Sequence, residues 1–212
     1  MPSEIAEELL RELDKENSEE IVFCGMGEPL LRYNCMLDTC RGIRALRSGD
    51  VSIRVDTSGL FWAREKRLDI LDWIDILSVS LNAENAKKYT ELCQPRVDGA
   101  YEVLMDFLRA VKKDEIEKRD LKAHFPKVRL SIVDTSEEEF IPPSGRSGYA
   151  PGTFPVPDFD ACRKIADGFG WPLIVKRLFR DSCDKIWSDP AVQNMCARGI
   201  QIEHCKDCTY RH

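Results

Sequence analysis

Hydrophobic positions along this chain switch repeatedly between helical and strand spacing. Ile5, Leu9, Leu10 and Leu13 recur at helical intervals after Ser3, which is suited to an N-cap. Ile21-Val22-Phe23-Cys24 is a short apolar run that ends at Gly25, the pattern of a strand covered on both faces. Leu37, Cys40, Ile43 and Leu46 then share one face of a helix expected over residues 35–47. Val51-Ser52-Ile53-Arg54-Val55 reads as a strand running into Asp56-Thr57-Ser58-Gly59. A helical stretch is expected before the next strand, residues 75–82, and Asp69, Asp72 and Asp75 read as its solvated face. Tyr101, Leu104, Met105, Leu108 and Val111 form a helical stripe, followed by a solvated charge run from Lys112 to Lys122. Val128–Val133 is a strand. Phe159, Cys162, Ile165, Ala166 and Phe169 mark a helix between Asp158 and Gly170, and Leu173-Ile174-Val175 is the last strand.

This strict alternation predicts an α/β fold with parallel strands and right-handed helical crossovers, as an open sheet or a partial barrel. A βα series normally begins with a strand, so a chain that opens on a helix is expected to lack its first strand. Two regions break the alternation. Residues 134–157 hold five prolines and three glycines, a composition expected of a functional lid or a disordered loop. The tail from residue 181 to 212 has no clean period but carries Cys183, Cys196, Cys205 and Cys208. The expected organisation is a barrel-like unit over 1–180 and a cysteine-rich tail over 181–212.

Composition narrows the function classes. The net charge of −6 gives no basic footprint, so nucleic acid is not expected as a partner. No apolar run is long enough to span a bilayer and the N-terminus lacks signal-peptide features, so a cytoplasmic location and no membrane partner are expected. Nine cysteines in such a chain favour metal ligation over a disulfide framework.

Three successive strand ends are polar in a shared way. Cys24, Gly25, Gly27, Glu28 and Pro29 follow the first strand; Asp56, Thr57 and Ser58 close the second; Ser80 and Asn82 close the third. Parallel strands bring these tips to one face. A carboxylate, hydroxyls and an amide there suit an amino acid and a ribose.

Val22-Phe23-Cys24-Gly25-Met26-Gly27-Glu28-Pro29, Val55-Asp56-Thr57-Ser58-Gly59-Leu60 and Ser78-Val79-Ser80-Leu81-Asn82-Ala83 together resemble the radical S-adenosylmethionine (SAM) superfamily. They look closest to the small radical SAM proteins associated with TatD-type nucleases. Cys93-Gln94-Pro95-Arg96 and Ser131-Ile132-Val133-Asp134 add to the likeness, which covers residues 3–180. It implies a partial (βα)6 TIM-like barrel that binds SAM at its strand ends. Gly27 and Glu28 would hold the methionyl ammonium, Ser80 and Asn82 the ribose or carboxylate, and Thr57 and Ser58 would lie beside them. The implied reaction is reductive cleavage of SAM by a [4Fe–4S] cluster to a 5′-deoxyadenosyl radical, which takes hydrogen from a substrate this sequence does not name.

The chain departs from the family at the cluster. The C-x3-C-x2-C motif and the first strand would both lie before Ser3, so truncation and true loss of the cluster stay open. The Leu130–Asp134 strand also lacks the family's glycine motif. As given, the chain is expected to be inactive, with an exposed barrel edge through which two copies could pair. The alternative is a non-catalytic scaffold or partner-binding protein stabilised by structural zinc. In the tail, Cys183, Cys196, Cys205 and Cys208 could hold zinc or an auxiliary iron–sulfur cluster, and the sequence does not choose between them. Cys40 and Cys162 read as core, while Cys35 and Cys93 read as incidental.

Overall fold

The computed structural model describes residues 2–24, 27–47, 49–135 and 155–177. Five parallel strands pair in sequence order: β1 (Glu20–Phe23), β2 (Ser52–Thr57), β3 (Ile76–Ser80), β4 (Lys127–Asp134) and β5 (Leu173–Arg177). All five fall where the apolar runs place them. The connections hold α1 (Pro2–Lys15), α2 (Tyr33–Leu46), α3 (Ala86–Cys93), α4 (Ala100–Asp120) and α5 (Phe159–Phe169). The loop centred on residues 136–154 and the tail cysteines Cys183, Cys196, Cys205 and Cys208 lie outside the described residues. Among those described, no helix is long and apolar enough to cross a membrane.

The sheet has two chemically different faces. Side chains alternate along each strand, and registered neighbours in a parallel pair share a face. Ile21, Ile53, Val55, Leu77, Val79, Val128, Leu130 and Ile132 form one face, buried under the helices. Arg54, Asp56, Ser78, Arg129, Ser131 and Lys176 occupy the other. A single ion pair proves that this second face is concave. Lys176 Nζ on β5 lies 3.5 Å from Asp56 Oδ2 on β2, although β3 and β4 stand between them. In a flat sheet three steps of ~4.8 Å would separate those strands by about 14 Å, beyond the reach of the two side chains. The sheet therefore curls around its polar face, as the wall of a partial TIM-like barrel.

Helix α1 packs on α2 through Ala6, Leu10 and Leu13. The approach is close because Gly42 faces Ala6: a Cβ at Gly42 would stand 3.0 Å from the Ala6 methyl. Beneath α4, Phe61, Trp62 and Phe107 meet edge-to-face and tilted, at centroid distances of 5.2–6.3 Å.

Several sequence expectations need correction. Helix α1 begins at Pro2, so Ser3 lies inside its first turn rather than capping it. Proline suits that position because the first helical N–H groups have no partner anyway. The stretch before β3 contains two short 3₁₀ turns, Leu60–Ala63 and Asp69–Asp72, and not an α-helix. Its carboxylates are structural ties. Asp69 accepts from Tyr33 Oη at 3.0 Å and from Arg67 at 2.8 and 3.1 Å, and hydrogen bonding to Arg67 holds its carboxyl below the usual range. Asp72 pairs with Lys118, and Asp75 accepts from Arg44 and from the Ile53 N–H at 2.7 Å. Helix α3 was not anticipated; Asn85 caps it by accepting from the Lys88 N–H at 2.9 Å. The charge run after Val111, expected as the solvated tail of the helical stripe, continues α4 to Asp120 with Lys112–Glu115 and Lys113–Glu117 pairs.

Cys40 and Cys162 are fully buried, as their helical positions predict, and burial pushes both thiols up to about 12. At mildly alkaline pH neither is expected to react with iodoacetamide in the native protein, because the thiolate is the nucleophile. Peptide mass mapping is expected to find half-buried Cys35 alkylated well before them. Comparable labelling of Cys40 without denaturant would contradict the buried placement.

Candidate functional site

The site is assembled where the ends of β1 and β2 meet. Cys24 leaves β1 half-buried; Gly27 is exposed, with open space around its α-carbon. Gly25 lies outside the described residues. Glu28 is extended and caps the 3₁₀ turn Pro29–Arg32, its Oε1 accepting from the Leu30 N–H at 3.1 Å. Pro29 occupies the first position of that turn, where its missing N–H costs nothing.

The rest of the Glu28 carboxylate is turned to β2. Oε1 accepts from the Thr57 hydroxyl at 2.7 Å, and Oε2 accepts from the Ser58 N–H at 2.8 Å and the Ser58 hydroxyl at 2.5 Å. Four donors thus fill the four acceptor positions of a carboxylate. The network continues outward: Thr57 Oγ1 accepts from the Gly59 N–H at 2.9 Å, and Ser58 Oγ accepts from the Leu60 N–H at 3.3 Å. Thr57 sits on the helix side of the sheet and is 2% exposed. Glu28, Thr57 and Ser58 are therefore brought together, and their side chains are joined to one another. In this geometry Glu28 braces two strand tips, and its carboxylate has no acceptor position left over for a further donor.

The third tip is built differently. Ser80 ends β3 on the concave face, half-buried. Asn82 follows in the left-handed region at φ 58°, a conformation Asn tolerates better than most residues. Its amide donates to Cys93 Sγ at 3.5 Å, which ties the tip to α3. Tyr89 of α3 is 1% exposed, and burial raises its phenol, with the negative charge of nearby Glu28 adding to the shift. The ends of β1, β2 and β3 thus share one neighbourhood with α3.

The concave wall below the tips carries a charge ladder in which Asp56 was an expected strand-end residue, while Glu20, Arg54 and Lys176 were not among the candidates. Arg54 lies 3.3 Å from Glu20 Oε2 and 3.7 Å from Asp56 Oδ1, and Lys176 reaches Asp56 from the other side. Ser78 and Arg129 stand level with Asp56 on the next two strands. The signal was present as period-two alternation of apolar and polar residues in Ile53-Arg54-Val55-Asp56, Leu77-Ser78-Val79-Ser80 and Val128-Arg129-Leu130-Ser131.

Among the described residues, no three His, Cys, Asp or Glu side chains gather as a metal site. Of the described cysteines, Cys35 and Cys40 share α2 while Cys24, Cys93 and Cys162 lie at the end of β1, on α3 and on α5, and Cys40 and Cys162 are sealed in the core. These residues do not fit an iron–sulfur cluster.

No family model matches the chain, and no curated protein matches it. Among solved structures it resembles archaeal TYW1, with 14% identity and a TM-score of 0.41 over 94% of this chain. The chain spans 60% of the length of that protein. It also resembles a domain of pyruvate-formate lyase-activating enzyme from Bacteroides vulgatus, with 16% identity and a TM-score of 0.41 over 74% of this chain and 98% of that one. Likeness of this size carries no argument about activity.

Proposed function

We propose that this chain is the core of a radical SAM-type enzyme, with SAM seated at the tips of β1–β3 above the concave polar wall. The observation that carries the reading is the joining of Glu28 to Thr57 and Ser58, which holds two of the three family-like segments in one fixed arrangement. Sites that need precise geometry are built on such braced strand ends. Ser80 and Asn82 supply the third segment, with a hydroxyl on the concave side and an amide at the rim.

In this reading Glu28, Thr57 and Ser58 position the tips. Gly27, exposed and unobstructed, lets a ligand approach the backbone, and Ser80 and Asn82 contact its polar groups. The reaction of the superfamily also needs an iron–sulfur cluster as electron source. The described residues give it no ligand set, so the chemistry assigned to this chain is binding and orientation.

Calorimetric titration of SAM into the full chain tests the reading. Saturable binding is expected, weakened by about tenfold or more in a Ser80→Ala/Asn82→Ala double variant that remains folded. No binding to the wild-type chain would remove the proposal. Zinc content without SAM binding would favour the non-catalytic scaffold instead.

A further inference from the structure

One level of the concave wall is incompletely satisfied. Asp56 on β2, Ser78 on β3 and Arg129 on β4 are adjacent in register and share a face. Asp56 Oδ1, Ser78 Oγ and Arg129 Nε are each buried with no hydrogen-bond partner among the described residues, and Arg54 Nε is a fourth such atom on the same face. Ser78 is 1% exposed. Buried polar atoms in folded proteins are overwhelmingly paired, and each one left unpaired costs about 1–3 kcal/mol. Such atoms side by side on adjacent strands mark a place built for a polar guest.

The charges decide what kind of guest. Asp56 is flanked by two cations, Arg54 at 3.7 Å and Lys176 at 3.5 Å, and Arg54 also serves Glu20 at 3.3 Å. Among the described residues no carboxylate pairs with Arg129. The uncompensated charge at this level is therefore a guanidinium, beside a buried hydroxyl that is able to donate. A planar fork of N–H donors matches a carboxylate or a phosphate better than any neutral group. With Asp56 already neutralised by its two cations, an anion there meets little repulsion.

We infer that Arg129 and Ser78 form an anion subsite in the barrel wall, so that the substrate carries a carboxylate or phosphate group. The inference rests on the proposed function for its catalytic meaning, and the binding itself stands on the wall alone.

The test is NMR titration of the full chain with inorganic phosphate and, separately, with acetate. Ionic strength is held with sodium chloride, and SAM affinity is measured in parallel. One of the two anions is expected to bind saturably. Arg129→Gln should weaken it by about tenfold or more, while Arg129→Lys, which keeps the charge, should lose less. Ser78→Ala should weaken it by a smaller factor, and SAM affinity should stay within about twofold in all three. If SAM fails to bind but the anion is lost in Arg129→Gln, the subsite stands and the radical SAM reading falls. Three results would overturn the inference: neither anion binding to wild type, Arg129→Gln binding as wild type does, or SAM and anion competing and both being lost together. The last would assign Arg129 to the carboxylate of SAM.

Discussion

Glu28→Ala is expected to destabilise the protein by about 2–4 kcal/mol, the sum of several charge-assisted hydrogen bonds less what water restores. The carboxylate receives four donors, from Leu30, Thr57 and twice from Ser58. Alanine leaves the Thr57 hydroxyl, 2% exposed, with its acceptor gone. It also unties the end of β1 from the end of β2. Glu28→Gln should fall between alanine and wild type, because its carbonyl oxygen serves one pair of donors while its NH₂ meets the other pair head-on. Urea unfolding of the three proteins gives the comparison, and for a chain of this size the alanine variant should melt about 5–15 °C lower. Ser80→Ala is the control, with an expected change under about 1 kcal/mol. A Glu28→Ala change no larger than that control would mean the network contributes little.

The distinction bears on function. A ligand-gripping carboxylate at this position would be under-satisfied without its ligand, and its loss would weaken binding while sparing stability. A bracing carboxylate does the reverse first, and binding suffers because the strand tips no longer hold their relation. Measuring stability and SAM affinity on the same variant separates the two.

The strands were legible because short runs of apolar residues, continuous as in Ile21-Val22-Phe23-Cys24 or interrupted by single polar residues as in Val128–Val133, stand between turn signals and have few other uses in a chain of this length. The tips of β1, β2 and β3 were legible for the same reason: polar residues at strand ends in a parallel sheet gather on one face. The bonds among them were not. Glu28 and Ser58 are 30 residues apart, and nothing in either segment says that one side chain completes the other. The concave wall was missed because Arg54, Ser78 and Arg129 each sit alone among apolar neighbours. A strand covered on both faces and a strand lining a polar lumen differ by only those single residues. Curvature decides between the two, and its evidence, Lys176 beside Asp56, joins strands far apart in sequence. Helix α3 escaped because Asn85 is followed by only two well-buried residues, Tyr89 and Leu92, too few for a periodic stripe.

The second large effect lies beneath the same tips. Phe107→Ala is expected to cost about 3–5 kcal/mol, since the ring is 1% exposed and packs against both Phe61 and Trp62. Gly59→Ala is expected to destabilise for two separable reasons. Gly59 has φ 74°, which penalises any side chain by about 1–2 kcal/mol. An added Cβ would also stand 2.8 Å from Phe107 Cδ1 and 3.0 Å from Leu104 Cδ1, and such overpacking adds about 1–3 kcal/mol. Removing the Phe107 ring relieves most of the second penalty and none of the first. The double variant should therefore be more stable than the sum of the single changes predicts, by about 1–2 kcal/mol in a double-mutant cycle. Additivity within about 0.5 kcal/mol would mean that the close approach is absorbed elsewhere, with the backbone conformation alone requiring glycine. Gly59 directly follows Thr57 and Ser58, and its N–H is bonded to Thr57 Oγ1. Strain there moves the two hydroxyls that hold Glu28, so the aromatic cluster under α4 and the strand-tip network form one mechanical unit.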